Sequence, residues 1–118
     1  MSAKAEVEIA EGDVAVVRPS GRITLGAGSG ALRNAIQEAL AGRHSRIVVD
    51  FGDVPYIDSS GFGELVRGYT DAMNAGGRLV LARPAQRIKD ALHHTRLSKV
   101  FRSFESVEEA VANLKGGP

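Results

Sequence analysis

From Val7 the run VEIAEGDVAVVRPSG alternates apolar and polar positions, breaks at Gly12-Asp13 and resumes, which predicts a β-hairpin with a short loop. Pro19 has no N–H to give a ladder, so it ends or edges the second strand. GRITLGAGSG follows with four glycines in ten residues and reads as a flexible connector, Ser29 serving as N-cap of the next helix. Over residues 31–40, Leu32, Ala35, Ile36, Ala39 and Leu40 form one stripe at helical spacing, and Gly42 suits the position just past the helix end. RIVVDF at 46–51 is β-branched and apolar without alternation, the pattern of a strand covered on both faces.

A second helix opens after Ile57, with Phe62, Leu65, Val66, Tyr69 and Met73 as its apolar positions and Gly76-Gly77 as its stop. RLVLA at 78–82 predicts another buried strand, and Pro84 precedes a helix carrying Ile88, Ala91 and Leu92. Val100-Phe101 suggests a final edge strand. Ser106-Val-Glu-Glu109 is a capping box for a last helix whose face is Val107, Ala110, Val111 and Leu114. The predicted order is β-β-α-β-α-β-α-(β)-α: one α/β domain over residues 1–114, and a tail at 115–118 that frays. Strand–helix–strand units imply parallel neighbours, and the hairpin adds an antiparallel pair, giving a mixed, mostly parallel sheet of about five strands against about four helices.

Composition narrows the function. The chain has 118 residues, 43% hydrophobic and 25% charged, with no cysteine, so disulfides, thiolate metal sites and a cysteine nucleophile are excluded. Fifteen basic and fourteen acidic residues leave a net charge of +1, too little for a global field that attracts nucleic acid or anionic lipid, and aromatics are sparse with no tryptophan for base stacking. The apolar runs are too short to span a bilayer, and the mixed, polar start MSAKAEVE carries no leader pattern. A cytoplasmic protein without membrane insertion is expected.

The residues that draw attention are IDSSGFGE at 57–64. Ligand and partner sites on open α/β sheets gather where strands hand over to helices, which is where Asp58, Ser59 and Ser60 fall. A helix start offers free N–H groups and partial positive charge to an anion, so a serine there could carry a phosphate, while Asp58 would repel it. Gly61 and Gly63 leave room for another backbone to approach. Plain capping explains one such residue; three in a row exceed what a cap requires.

Other chemistry fits less well. A serine-hydrolase elbow needs glycine two residues before its nucleophile, and here Ile57 and Asp58 stand there. His44, His93 and His94 have no evident partner, and adjacent histidines on a helix diverge. Asp50, Asp53 and Asp58 could cluster, but such aspartates more often cap backbone. GAGSG at 26–30 lacks the lysine of a phosphate-binding loop.

The stretch from IVVDFGDVPYIDSSGFGELV to LSKVF resembles the core of STAS domains of the bacterial anti-sigma-factor antagonist type, and the hairpin and last helix extend the likeness over nearly the whole chain. The resemblance implies a non-enzymatic switch that binds an anti-sigma factor, itself a serine kinase, and so frees a sigma factor. The kinase would bring the ATP; the chain itself would need no cofactor or metal and would act as a monomer or weak dimer. Carried onto this sequence, the phosphate acceptor falls on Ser59 rather than Ser60, and Asp58, Ser60, Gly61 and Phe62 line the docking surface with Arg22 and Thr24 from the preceding loop. Where such antagonists often carry acids after the glycine ending the second strand, Gly21 is followed here by Arg22-Ile-Thr24, and Arg22 could pair with a phosphate on Ser59 if the loop lies near it. The alternative is a constitutive STAS scaffold or subunit of a stress-signalling or lipid-transport assembly, working without phosphorylation.

Overall fold

Strand order in space follows strand order in the chain. The computed structural model describes residues 4–116, with β1 (Lys4–Ile9), β2 (Ala15–Ser20), α1 (Ala27–Ala41), β3 (Arg46–Asp50), α2 (Ser59–Asn74), β4 (Arg78–Ala82), α3 (Gln86–His94), β5 (Ser103–Phe104) and α4 (Val107–Gly116). The sheet runs β1-β2-β3-β4-β5; β1 and β2 pair antiparallel and every later pair is parallel. This is the mixed, mostly parallel sheet with four helices that the sequence predicts.

The placement of the helices follows from the strand order. Crossovers between parallel neighbours take one hand, and each crossover steps in the same direction, so α1, α2 and α3 share one face. Their Leu32, Ile36, Leu65, Ile88 and Leu92 pack on Ile47, Val49, Leu79 and Leu81. The α4 helix comes after β5 and covers the opposite face, where Ala110 and Leu114 meet Val16, Val48, Val80 and Ala82. Central strands covered on both sides read as unbroken apolar runs. The predicted capping box forms in part: Glu109 N donates to Ser106 Oγ at 3.1 Å, while the Glu109 carboxylate accepts from Glu105 N at 3.2 Å, one residue before the cap.

Four local expectations change. The segment after β2 is no flexible connector: Ile23 is 2% exposed in the core, and its N–H and C=O bond Tyr56 O and Asp58 N. Helix α1 starts at Ala27, four residues early, so Ser29 is buried inside its first turn and Gly26, at φ 103°, holds the N-cap. Gly28 allows the close approach: a Cβ there would lie 2.5 Å from Arg22 O. Phe101 is not in a strand; its N–H bonds Leu97 O and its ring packs edge-on to Tyr69 at 5.5 Å, and the edge strand forms two residues later. Of the tail expected to fray, Lys115 and Gly116 continue α4, with Lys115 paired to Glu11; positions 117 and 118 lie outside the described residues. No helix among the described residues is long and apolar enough to cross a membrane.

Candidate functional site: the head of helix α2

Two loops run side by side at the carboxyl ends of β2 and β3. Ser20 bridges to Asp53 and Ile23 to Ile57 in parallel, with Gly21 N donating to Asp53 O at 3.0 Å and Ile23 N to Tyr56 O at 2.9 Å. Burial of Ile23 and Ile57 turns one side of this ladder into the core. Alternation then puts Arg22, Thr24, Tyr56 and Asp58 on the other side.

Asp58 is the N-cap of α2, its backbone extended at φ −101° and ψ −174°. One carboxylate serves four donors. Oδ1 accepts from Ser60 N at 2.9 Å, Gly61 N at 3.2 Å and Ser60 Oγ at 2.5 Å, and Oδ2 accepts from Leu25 N at 3.0 Å. The Ser60 hydroxyl bond chiefly holds the Asp58 carboxyl below the usual range; partial burial opposes it and the N–H groups of Gly61, Leu25 and Ser60 reinforce it. The cap is therefore an anion, and it ties both loops together.

The three polar residues separate by task. Asp58 caps, Ser60 is bound to Asp58, and Ser59 is exposed with no hydrogen bond to its hydroxyl among the described residues. Arg22 is exposed and its guanidinium lies 4.5 Å from the centre of the Tyr56 ring; Thr24 is half-buried and accepts Ser29 N through its carbonyl at 3.0 Å. The β2–α1 loop thus does lie beside the Ser59 turn. Phe62 is half-buried against the core. Gly61 differs from its expected role on a docking surface: it is buried, and a Cβ there would meet Ile57 at 2.5 Å and Ile23 at 2.8 Å, so its bareness serves packing. Gly63 does face open space.

Sequence periodicity misassigned part of α2. The buried line is Gly61, Leu65, Gly68 and Ala72, while Val66 (39% exposed) and Met73 (50% exposed) face out. Seven and fourteen residues past Ser59, they fall within about 40° of it around a helix of 3.6 residues per turn. Leu25, which the sequence did not single out, stands 82% exposed at the same end of the helix. The sequence carries no signal for it: alternation would put Leu25 on the buried side with Ile23, but the chain turns at Gly26 into α1 and leaves it outside.

The three aspartates do not cluster. Asp50 is 2% exposed on the α4 face and takes a bidentate pair from Arg83 (2.9 and 2.8 Å), Gly52 N at 3.0 Å and Arg18 at 3.4 Å. Burial pushes its carboxyl upward, but the Arg83 and Gly52 hydrogen bonds with the charges of Arg83 and Arg18 outweigh that and hold it below the usual range. Asp53 uses its backbone carbonyl in the loop ladder.

The geometry is that of a small α/β domain with an exposed serine at the head of a helix whose Val66 and Met73 also face out. Residues 4–110 match the STAS domain, and the chain belongs to that family. A Thermotoga neapolitana relative, named as a homolog of an anti-sigma factor antagonist, is 23% identical over 104 residues, covering 88% of this chain and 92% of that one. Among solved structures, an anti-sigma factor antagonist from Thermotoga maritima superimposes with a TM-score of 0.85 at 20% identity over 94% of both chains. One from Mycobacterium paratuberculosis gives 0.82 at 24% identity over 97% of this chain and 95% of that one. The Bacillus cell fate determinant SpoIIAA, solved in its phosphorylated form, gives 0.72 at 20% identity over 92% and 97%.

Proposed function

We propose that this chain is an anti-sigma-factor antagonist that binds an anti-sigma factor with serine kinase activity through the head of α2, and that phosphorylation of Ser59 ends the contact. The observation that carries the reading is the division of labour at 58–60: the cap is complete without Ser59, whose hydroxyl is exposed. The relatives' names and the phosphorylated form of SpoIIAA point the same way.

The switch follows from charge. Unmodified, Ser59 is a small neutral group heading a stripe that continues through Val66 and Met73, a surface a partner can cover at little desolvation cost. A phosphate adds about −1.5 to −2 charges at neutral pH. The helix N-terminus tolerates it, but it stands beside the ionised Asp58, and a partner lying over the stripe must then bury a dianion. The domain keeps its fold and loses its fit.

The test is incubation with the partner kinase and ATP, read by intact mass. One phosphate should be added to the wild type and to Ser60→Ala, and none to Ser59→Ala. Full labelling of Ser59→Ala would remove Ser59 from the account. Phosphorylated wild type should bind the kinase at least roughly tenfold more weakly, as for a buried charge left unpaired.

A further inference from the structure

The chain's near-neutral total hides a division of charge. Between Arg83 and Arg102, six of twenty residues are lysine or arginine and Asp90 alone is acidic; the remaining 98 residues carry nine basic and thirteen acidic side chains. The fold gathers the basic stretch at one rim, made of α3, the 3-10 turn at Leu97–Lys99 and the edge strand β5. Burial of Ile88 and Leu92 turns Arg87, His93 and His94 outward, and Arg96, Lys99 and Arg102 are exposed beyond them.

Local partners account for only some of these charges. Arg83 is taken by Asp50, and Lys89 by Glu105 at 3.4 Å. Asp90, the acid on α3, accepts from Gln86 at 2.9 Å. Arg87, Arg96, Lys99 and Arg102 have no ion-pair partner among the described residues. Arg96 also holds a left-handed backbone, φ 64°, which disfavours any residue with a Cβ and here aims a long cation from a tight turn. Val100, 38% exposed, sits among them.

We propose that this rim docks an acidic segment of a partner polypeptide, as a second contact surface that does not depend on Ser59. The physical case is complementarity: clustered like charges without local partners are relieved by a counter-charge, and arginines offer paired donors that match carboxylates. The size suits a short segment, since α3 has nine residues, about 14 Å of helix, in a molecule 32 × 26 × 23 Å across. Nucleic acid fits poorly. Phe101 is buried, Phe104 is half-buried under the Arg102 guanidinium at 5.3 Å, and a phosphate backbone running past the rim meets a surface rich in acids. A membrane fits no better, because Val100 alone gives too little apolar area to insert.

The experiment titrates a fluorescein-labelled oligo-glutamate peptide with the full chain and follows anisotropy, circular dichroism confirming the fold of each variant. Saturable binding is expected to weaken at least roughly tenfold in Arg96→Glu/Lys99→Glu, where attraction becomes repulsion. A smaller loss is expected in Arg87→Gln/Arg102→Gln, weaker binding as salt rises, and no change in Ser59→Ala. Equal binding by the double reversal overturns the proposal. So does tighter binding of wild type to duplex DNA or phosphatidylserine vesicles in the same buffer, or self-association by sedimentation that the reversal abolishes. Because Ser59→Ala is carried through the same titration, failure here leaves the Ser59 reading standing, and failure there leaves this one.

Discussion

At the scale of single residues, adjacent polar groups with the same sequence signature end in different states. Asp58 gathers four hydrogen bonds, Ser60 is held by Asp58, and Ser59 is left over. Removing the cap should therefore affect more than the cap. Asp58→Ala frees both loops, so its urea midpoint should fall below wild type, with Asp58→Asn in between because an amide oxygen still caps. Amide exchange should quicken at Leu25 in the alanine variant, since Leu25 N loses its acceptor; unchanged exchange there would mean the two loops are not joined through Asp58. That residues 58–60 fall at the head of a helix was legible in the sequence, because capping groups gather at strand–helix junctions. The allocation was not, because which hydroxyl stays free depends on side-chain angles and on a backbone N–H thirty-three residues away. Gly61 was misread for a related reason. A missing side chain looks alike in sequence whether the space is left for a visitor or filled by Ile23 and Ile57.

Elements show the same dependence on distant contacts. The register of α2 was readable as a 3.6-residue pattern, yet two of its apolar positions face solvent, because α1 crosses α2 over Gly68 rather than over Val66. The start of α1 was misplaced because Gly-rich sequence favours loops locally, while packing of Ile23 under the helix overrides that preference. A pair of glycine substitutions separates the two situations. Gly28→Ala must push α1 off the Arg22-Ile23 backbone and should destabilise by about 1–3 kcal/mol. Gly63→Ala meets open space on a helix and should stabilise, by up to about 1 kcal/mol. Urea denaturation of both variants checks the signs, and a neutral Gly28→Ala would show that the junction yields without strain.

For the whole molecule, the sequence revealed the class of fold through its β-branched runs and its alternating first hairpin, but not the face each helix would take, which follows from strand order. Nor did it show Asp50 as an anchor, since one acid at a strand end says nothing of Arg83, thirty-three residues on. That anchor and Asp58 contribute to the response to acid. The folded protein holds both carboxyls below 3.8, so as pH falls the unfolded chain takes up protons first. The stabilisation they give is complete above that value and is lost as pH falls through the folded-state values. Asp50→Asn should accordingly be less stable than wild type by about 1.5–3 kcal/mol near neutral pH, with a shallower decline below about pH 4. Urea midpoints across that range test it; parallel declines would mean Asp50 is not part of the acid response.

Because each strand's partner is its immediate predecessor in the chain, every strand from β2 onward is synthesised after the neighbour it joins. The hairpin partner of β3 precedes it in the chain, and β3, β4 and β5 each join the sheet through a crossover that carries a helix. Helix α4 follows all five strands and seals the second face of β3 and β4, so a nascent chain halted before residue 107 leaves Val48 and Val80 bare.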